Sequence, residues 1–470
     1  MRRSILCTVL VLFFVLTACS DSAADPSGSS GEPSAGVASE EPTPTPEPPI
    51  EYYIRDPQDR SQYILVEDAA PGSGVQYYIV DPEDGSGYLA VELVDGDGDG
   101  GYGYELITAS PLTDEQVFTI LKDMMLEDTY SATAVSVAVI EDGVVTGSAG
   151  WGWAALDERE MTADTKVRVA SLSKLSVGMS AMAMAEDGLL TLNAPLSTYW
   201  GDDVHNPYSH AQPSAYSLMT HTSSLMDRAI QGGLSNLHDL LLTSWRSMEP
   251  GDGGYWYYSN FGFCVLGTTL ELASDGLLED YLQSHFLQPL GVRASLFCGN
   301  LDEDEMATLY NAYYGVEYSA ADQAAQYVPT EIGAGAASFP GGLTISAPDM
   351  AKLVAILAND GVYDGVRYLS AASVADMETP RFAIDYLAGY YPFEQCLVLR
   401  RQSNLMGRDT IYYHTGSAYG VYSLLSYDPD TGDGVVVLTV GAPHRGDERG
   451  LYTICSDLSA RLYAAMEDLT

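Results

Sequence analysis

The chain of 470 residues has few basic side chains: 21 lysines and arginines stand against 65 aspartates and glutamates, giving a formal net charge of -44 at pH 7. A surface this acidic repels DNA, RNA and anionic membranes, which argues against nucleic acids as partners. Only four of the basic residues are lysines: Lys122, Lys166, Lys174 and Lys352. Because lysine is so rare in this chain, each of the four is a candidate functional residue.

Other features are missing too. After the first residues, no run is apolar enough to span a bilayer. The six cysteines lack the close pairs typical of zinc sites, and no nucleotide or haem motif is found, so we expect no metal and no cofactor. The length suits two or three domains with a sizeable core. Four cysteines are predicted to be buried thiols or to form one or two disulfides, with the pairing left open: Cys264, Cys298, Cys396 and Cys455.

Residues 1–18 have the pattern of a secretory signal peptide, with two arginines before a short apolar run. The run ends in Leu16-Thr17-Ala18-Cys19, which resembles the lipobox of bacterial lipoproteins; an ordinary signal peptide is the alternative. We expect cleavage before Cys19 and two acyl chains on that cysteine, which together anchor a protein stably. This predicts an extracytoplasmic protein of the bacterial cell envelope that contacts the membrane only through lipidated Cys19.

Two regions of distinct composition follow. Residues 19–50 are rich in Pro, Ser and Glu and are predicted to be a disordered tether. Residues 51–110 contain a repeat with a spacing of 25, beginning at Tyr52 and Tyr77, which predicts a small module of β-hairpins of unknown role. Asp95, Asp97 and Asp99 resemble half of a calcium loop, but Leu106 stands where the loop needs glutamate, so a solvated acidic turn is favoured.

Residues 111–470 are predicted to be one globular domain. Thr113 caps a helix over 114–126, and residues 135–140 and 144–150 alternate as a hairpin does. The last strands are predicted over 419–427 and 434–440, before a final helix. Strands at both ends with helices between them indicate a sheet completed by both termini, with a helical insertion.

The chemistry begins at one of the rare lysines. Ser171-Leu172-Ser173-Lys174 opens a helical pattern that runs to Gly188, and residues three apart share a helix face. Ser171 and Lys174 are therefore expected side by side at a helix N-terminus, where free amides and the helix dipole favour an alkoxide. A buried lysine loses its proton readily and can act as a base. This short spacing is weak evidence alone.

Tyr258-Ser259-Asn260 follows downstream, before an apolar helical segment over 261–273. A tyrosine near Lys174 is expected to have a lowered pKa and to act as a general base. The Asn260 amide is expected to contact both Lys174 and the substrate carbonyl.

A third motif, His414-Thr415-Gly416, leads into the strand from Tyr419. We expect it on an edge strand, where backbone groups pair with an extended substrate. The amide of Ser417 is expected to form an oxyanion hole with the amide of Ser171.

In this order the three motifs resemble the serine β-lactamase and penicillin-binding protein superfamily, in the class C-like branch of class C β-lactamases, DD-carboxypeptidases, D-aminopeptidases and esterases. Further segments between Asp114 and Met466 are similar to family elements: Val167–Ser171, Met219–Leu225, Pro289–Gly291 and Gly341–Met350. The resemblance implies an α+β fold, with an antiparallel sheet flanked by helices, a helical subdomain and the site between them. It also implies that Ser171 is acylated while Lys174 and Tyr258 pass the proton.

The sequence departs from the family pattern at several positions. His414 replaces the lysine usual in β-lactamases, which weakens the fixed positive charge for a penicillin carboxylate. Ser417 and Ser224 stand where glycines are usual, so the substrate class stays open. Four arginines are candidates to replace the charge, although each is expected on the surface: Arg400, Arg401, Arg408 and Arg445.

Two functions follow from these residues. The favoured one is a serine hydrolase that acts through an acyl-enzyme on an amide or ester, with a small molecule or a peptidoglycan peptide as substrate. The alternative is a non-catalytic surface binding or sensor protein on a penicillin-binding scaffold, with residues 51–110 as its binding part. The natural substrate and the oligomeric state are left open.

Overall fold

The computed structural model describes residues 51–56, 59–66, 69–70, 77–80, 88–95, 102–106, 111–230, 232–385 and 392–468. The signal peptide, Cys19, the tether, and Asp97 and Asp99 of the calcium-like turn lie outside the described residues. Those expectations, and the division of the chain at residues 18, 50 and 110, stay predictions.

The strands of the described residues are numbered in chain order. They are β1 Tyr52–Asp56, β2 Asp59–Val66, β3 Tyr77–Val80, β4 Tyr88–Asp95, β5 Tyr102–Leu106, β6 Ala134–Glu141, β7 Val144–Ala155, β8 Arg159–Glu160, β9 Val167–Arg168, β10 Leu309–Tyr310, β11 Val316–Tyr318, β12 Thr344–Ile345, β13 Val362–Tyr363, β14 Val366–Arg367, β15 Phe382–Ile384, β16 Phe393–Gln395, β17 Arg400–Leu405, β18 Arg408–Ala418, β19 Val421–Tyr427 and β20 Gly434–Val440.

The α-helices of the same residues connect these strands. They are α1 Asp114–Met125, α2 Ser173–Glu186, α3 Ser197–Trp200, α4 Ala215–Met219, α5 Leu234–Leu241, α6 Asn260–Ser274, α7 Leu278–Leu282, α8 Ala320–Ala324, α9 Ala347–Ala358, α10 Ala371–Glu378 and α11 Thr453–Asp468. Helix α1 begins with the predicted capping box between Thr113 and Gln116.

The repeat region forms an antiparallel sheet of five strands in the order β2-β1-β3-β4-β5. Each copy of the repeat is a hairpin, β1 with β2 and β3 with β4, which confirms the predicted hairpins. The two equivalent tyrosines that open the repeats, Tyr52 and Tyr77, are both buried in one small core with Ile79, Val91 and Leu93. The repeated tyrosines therefore occupy equivalent buried positions in this small core.

A sheet of nine strands dominates the rest of the chain, in the order β15-β16-β17-β18-β19-β20-β6-β7-β8. The early strand β6 pairs with the late strand β20, for example Val139 opposite Val435. The predicted closure of the sheet by both ends of the domain is thus confirmed, as is the α+β fold.

Alternation along the strands gives the sheet two apolar faces. Val137 and Val139 point into a core that includes residues of α1 and α11. Ala138 and Ile140, their neighbours on β6, point into a larger core that includes residues of α2, α6 and α9. The second face carries the candidate site.

Cys264, Cys298, Cys396 and Cys455 are all buried free thiols.

Within the described ranges no single helix is long and apolar enough to cross a membrane. Helix α6 together with Leu278–Leu287 meets the length and composition needed, but the pair is bent by 79°.

Candidate active site

Ser171 is positioned by a short antiparallel strand pair. Strand β9 pairs with β12, and the Val169 amide donates to the Leu343 carbonyl oxygen at 2.9 Å. The backbone then turns sharply, because Ala170 has a φ of 52°, a conformation that costs an alanine about 1–2 kcal/mol. Ser171 lies in a 3-10 turn over residues 170–172, and α2 begins only after it, two residues later than the helical pattern predicts.

Lys174, on the first turn of α2, has no exposed surface. Its Nζ donates to three neutral oxygens: Ser171 Oγ at 3.0 Å, Asn260 Oδ1 at 2.8 Å and the Pro340 carbonyl at 2.8 Å. Burial is the main cause that lowers the pKa of Lys174 to about 7, and the charge of Arg400 also lowers it. Near neutral pH about half of the Lys174 side chains are therefore unprotonated and able to accept a proton.

Tyr258 meets the same serine from another side. Its side chain is hydrogen-bonded to Ser171, and burial raises the pKa of its phenol despite the opposing effects of Ser171 and Arg400. The prediction of a lowered tyrosine pKa was wrong, because the removal of a phenolate from water outweighs the nearby positive charge. The phenol is consequently suited to donate and relay a proton, while Lys174 is the better base.

Asn260 is the first residue of α6 and is exposed, so its side chain is open to solvent. Ser259 caps the helix by accepting from the Gly262 amide at 2.9 Å. Asp227 Oδ1 accepts from Ser259 Oγ at 3.1 Å and from the Phe261 amide at 2.7 Å. The cap and Asp227 fix the helix end, so that Asn260 reaches Lys174 as predicted.

His414 replaces the usual lysine and carries no charge of its own. It is 1% exposed, and its Nδ1 donates to the Thr415 carbonyl oxygen at 2.8 Å. Burial is the main cause that holds the pKa of His414 well below its ordinary value, and the charges of Arg400 and Lys174 act in the same direction. The imidazole is therefore neutral at pH 7.

Strand β18 lies between β17 and β19, which corrects the prediction that His414–Gly416 form an edge strand. The ladder between β17 and β18 nevertheless ends at the pair Arg400–Tyr413, so no β17 residue is paired with the last five residues of β18. A Cβ added at Gly416 would lie 2.5 Å from the Val169 carbonyl oxygen, which is too close, and 3.3 Å from the Ser171 amide nitrogen. Glycine is needed there because this half of β18 runs directly beside the nucleophile turn.

Ser417 points to the opposite face from His414, because side chains alternate along a strand. Its side chain is hydrogen-bonded to Tyr452. Its backbone amide belongs to the part of β18 that runs past Ser171, which suits the expected oxyanion hole. Tyr452, which the sequence did not reveal because it belongs to no motif, thus holds the Ser417 side chain next to the site.

Of the four candidate arginines, the structure brings Arg400 to the site. The expectation of a surface position was wrong both for Arg400 and for Arg408, which is 7% exposed. Arg400 is 8% exposed, and its guanidinium carbon lies 5.9 Å from the centre of the Tyr258 ring. It is hydrogen-bonded to Tyr413. The other three are engaged elsewhere: Arg401 with Glu394, Arg408 with Asp428 and Asp433, and Arg445 with the Thr129 carbonyl.

The Pro340 carbonyl is a second group that the sequence did not reveal. It accepts from Lys174 although the two residues lie 166 positions apart. A backbone carbonyl leaves no residue-type signal, but its position just before the family-like Gly341-Gly342 element could have pointed to it. In the Met219–Leu225 segment, Ser224 adopts a φ of 61°, the conformation for which the family has glycine.

The fold is that of the β-lactamase and transpeptidase class. The sequence model of the Beta-lactamase family matches residues 120–454. The chain therefore belongs to this family, whose members among its relatives are named as β-lactamase, carboxypeptidase, amidase and esterase.

Individual relatives are distant. An uncharacterized protein of Mycobacterium tuberculosis is 27% identical over 252 residues, 47% of this chain and 61% of that protein. A D-alanyl-D-alanine-carboxypeptidase/endopeptidase of Escherichia coli is 27% identical over 30% of this chain and 39% of its own length. The chain thus spans less than two thirds of these curated relatives. The D-amino acid amidase of Ochrobactrum anthropi, solved with D-phenylalanine, shares the fold with a TM-score of 0.57 at 21% identity, over 75% of this chain and 98% of that one.

Proposed function

We propose that the protein cleaves an amide or ester bond through an acyl-enzyme on Ser171. The observation that carries this proposal is the 3.0 Å contact between Ser171 Oγ and the fully buried Nζ of Lys174. Unprotonated Lys174 takes the Ser171 proton as Oγ attacks the substrate carbonyl carbon. The backbone amides of Ser171 and Ser417 donate hydrogen bonds to the carbonyl oxygen and stabilise the negative charge that develops on it.

The proton that Lys174 takes from Ser171 is next passed to the leaving group, and water then hydrolyses the acyl-enzyme. Protonated Lys174 and Tyr258 form a relay that delivers the proton to the leaving amine or alkoxide, and the carbonyl–leaving-group bond breaks. A water molecule then attacks the acyl carbon and loses a proton to the same relay. The bond from that carbon to Ser171 Oγ breaks, the relay returns the proton to Oγ, and the acid is released. The raised pKa of Tyr258 suits the donor role.

For the substrate we propose an acyl compound whose carboxylate binds at Arg400, such as a D-alanyl peptide or a comparable small molecule. Neutral His414 supplies no charge for that purpose, whereas Arg400 is a guanidinium next to Tyr258, and arginine is the preferred partner of a carboxylate. The names of two relatives, the D-alanyl-D-alanine-carboxypeptidase/endopeptidase and the D-amino acid amidase, suggest a D-amino-acid derivative as substrate, which is compatible with this chemistry.

Intact-mass measurement after incubation with a fluorophosphonate and with a fluorescent penicillin tests the acyl-enzyme. We expect one adduct on the wild type, none on Ser171→Ala, and a normal adduct on Ser176→Ala, which removes another α2 hydroxyl that bonds only to a backbone carbonyl. A stable penicillin adduct would indicate a penicillin-binding protein, and a short-lived one a β-lactamase. Labelling by the fluorophosphonate alone would indicate an esterase or amidase.

Failure of both probes, together with unchanged turnover of amide and ester substrates in Ser171→Ala, would refute the hydrolase. The binding or sensor function would then be the better account. For substrate choice, Arg400→Gln should lower kcat/KM for a carboxylate-bearing D-alanyl ester more than for the same compound as its methyl ester. Equal losses for both compounds would refute the role of Arg400.

We also propose that the enzyme acts outside the cytoplasm, attached to the membrane through acylated Cys19. The lipobox-like Leu16–Cys19 sequence supports this. Full-length protein expressed in bacteria that are fed an alkyne fatty acid should incorporate the label, and Cys19→Ser should not. Equal incorporation by both proteins would refute the anchor.

A further inference from the structure

His221 lies beneath Tyr258 in the buried part of the site. Its imidazole is 4.4 Å, centre to centre, from the Tyr258 ring, and it also contacts the rings of Phe263 and Trp256. The residue is 4% exposed and has a φ of 58°. A non-glycine residue in this conformation is strained and persists only where surrounding contacts require it.

Two hydrogen bonds connect His221 to the backbone on either side of Tyr258. The His221 carbonyl oxygen accepts from the Tyr257 amide at 2.9 Å. Its Nδ1 accepts from the Ser259 amide at 3.3 Å. One residue thus binds the chain immediately before and immediately after the phenol that meets Ser171.

The imidazole must be neutral for this contact, because Nδ1 accepts a hydrogen bond only when the single ring proton is on Nε2. Burial is the main cause that holds the pKa of His221 well below its ordinary value, and the positive charges of Lys174 and Arg400 act in the same direction. The acceptor at Nδ1 is therefore present throughout the neutral range.

The chain beyond Ser259 is fixed independently. Ser259 caps α6, and Asn260 contacts Lys174. Tyr258 lies between this helix end and the two bonds from His221. Loss of the Nδ1 acceptor would release the backbone at Tyr258 while the contact of Asn260 with Lys174 remains.

We propose that His221 is a positioning residue, which sets the Tyr258 phenol against Ser171 by accepting a hydrogen bond from the Ser259 amide. The proposal rests on the acyl-enzyme function proposed above. His221 would thus act on the reaction through Tyr258, and its hydrogen bonds to the backbone on both sides of Tyr258 account for the strained backbone at His221.

Matched side chains separate the acceptor from mere bulk. In His221→Asn the side-chain oxygen lies as many bonds from the backbone as Nδ1 does, and asparagine tolerates a positive φ. In His221→Gln the same amide lies one methylene further out, and His221→Ala has no acceptor. His285→Asn, a part-buried histidine elsewhere, controls for the loss of any imidazole.

The readout is the rate of fluorophosphonate acylation together with kcat and KM for an ester, on variants shown to be folded by thermal unfolding. A phenol displaced by about 1 Å costs about 100-fold in rate, so we expect that loss in kcat for His221→Gln and His221→Ala, with KM little changed. His221→Asn should recover most of the rate. In a Tyr258→Phe background, His221→Gln should cause little further loss.

The outcomes distinguish the two proposals. If the wild type is not acylated at Ser171, the proposed function fails. If the wild type is acylated and a folded His221→Gln or His221→Ala is acylated equally fast, the positioning role fails. It fails equally if folded His221→Asn is as slow as His221→Ala, or if His285→Asn reproduces the loss.

Discussion

Two buried lysines stand eight positions apart, and their surroundings give them different roles. Lys166 is 7% exposed, and its Nζ lies 3.3 Å from the Glu305 carboxylate, which also pairs with Arg293. Lys174 is fully buried, and its three hydrogen-bond partners are a hydroxyl, an amide and a carbonyl. None of those three partners carries a negative charge.

The difference shows what converts a buried lysine into a base. A carboxylate beside an ammonium favours its charged form, whereas neutral partners leave burial to favour the uncharged form. Burial accordingly lowers the pKa of Lys174 to about 7. Lys166 and Glu305 join two distant segments as an ion pair, while Lys174 is available for proton transfer.

The largest expected effect comes from removal of the base. Lys174→Met keeps the side-chain volume but cannot accept the Ser171 proton, so acylation by an ester or fluorophosphonate should fall by about 1,000-fold. The measurement is the rate of adduct formation by intact mass. A residual rate above about a tenth of the wild type would contradict the assignment of Lys174 as the base.

Unfolding provides the control for the same variant. Because the pKa of Lys174 is about 7 in the folded state and near 10.4 in the unfolded chain, the unfolded state binds more protons between these values. The free energy of unfolding of the wild type should therefore rise by about 2 kcal/mol from pH 7 to pH 9, relative to Lys174→Met. Parallel curves for the two proteins would show that Lys174 is charged in the folded state.

A smaller effect is expected if Lys174 is given the environment of Lys166. Asn260→Asp would place a carboxylate 2.8 Å from Nζ and should raise the pKa of Lys174 by about 1–3 units. The pH of half-maximal acylation should move upward from near 7 by that amount, with a loss of about 5–500-fold at pH 7. Asn260→Ala, the control, should slow acylation without this upward shift; equal shifts in both variants would refute the explanation.

The smallest effect is expected at the structural pair. Glu305→Gln removes the anion beside Lys166 and should lower stability at pH 7 by about 1 kcal/mol without changing the acylation rate. The hydrogen bond from Arg293 is the main cause that lowers the pKa of Glu305 to about 2. The stabilisation is thus complete above about pH 4.5 and is lost as the pH falls towards 2.

Denaturant unfolding of the wild type and Glu305→Gln at several pH values measures this difference. The two curves should converge below pH 4.5. A difference that stays constant down to pH 2, or a change in the acylation rate, would show that Glu305 acts in another way.

Much of the site could be predicted from the sequence. The Ser171–Lys174 spacing, the Tyr258–Asn260 motif and the Gly416 strand are local signals, and their order along the chain resembles that of one family. The sheet closed by both ends of the domain follows from alternating strands. The predictions that failed concern environment: the pKa of Tyr258, the burial of Arg400 and Arg408, and the position of β18 within the sheet.

These failures have a common physical reason. Burial raises the pKa of the Tyr258 phenol, and Arg400 is buried beside Tyr258, a residue distant from it in the chain. No periodicity or spacing encodes how much water reaches a side chain after packing. The hydrogen bond between His221 and Ser259 is a further example, because these two residues lie 38 positions apart in the chain.

The sequence by itself determined which residue types are present at the site and in which order, because a nucleophile, a lysine three residues later and a tyrosine motif are local patterns. Only the tertiary structure decided which of the rare lysines is a base. Burial beside neutral oxygens from Ser171, Asn260 and Pro340 lowers the pKa of Lys174, while Glu305 pairs with Lys166. That choice depends on desolvation and on charges brought together by folding, which exist only once the chain has packed.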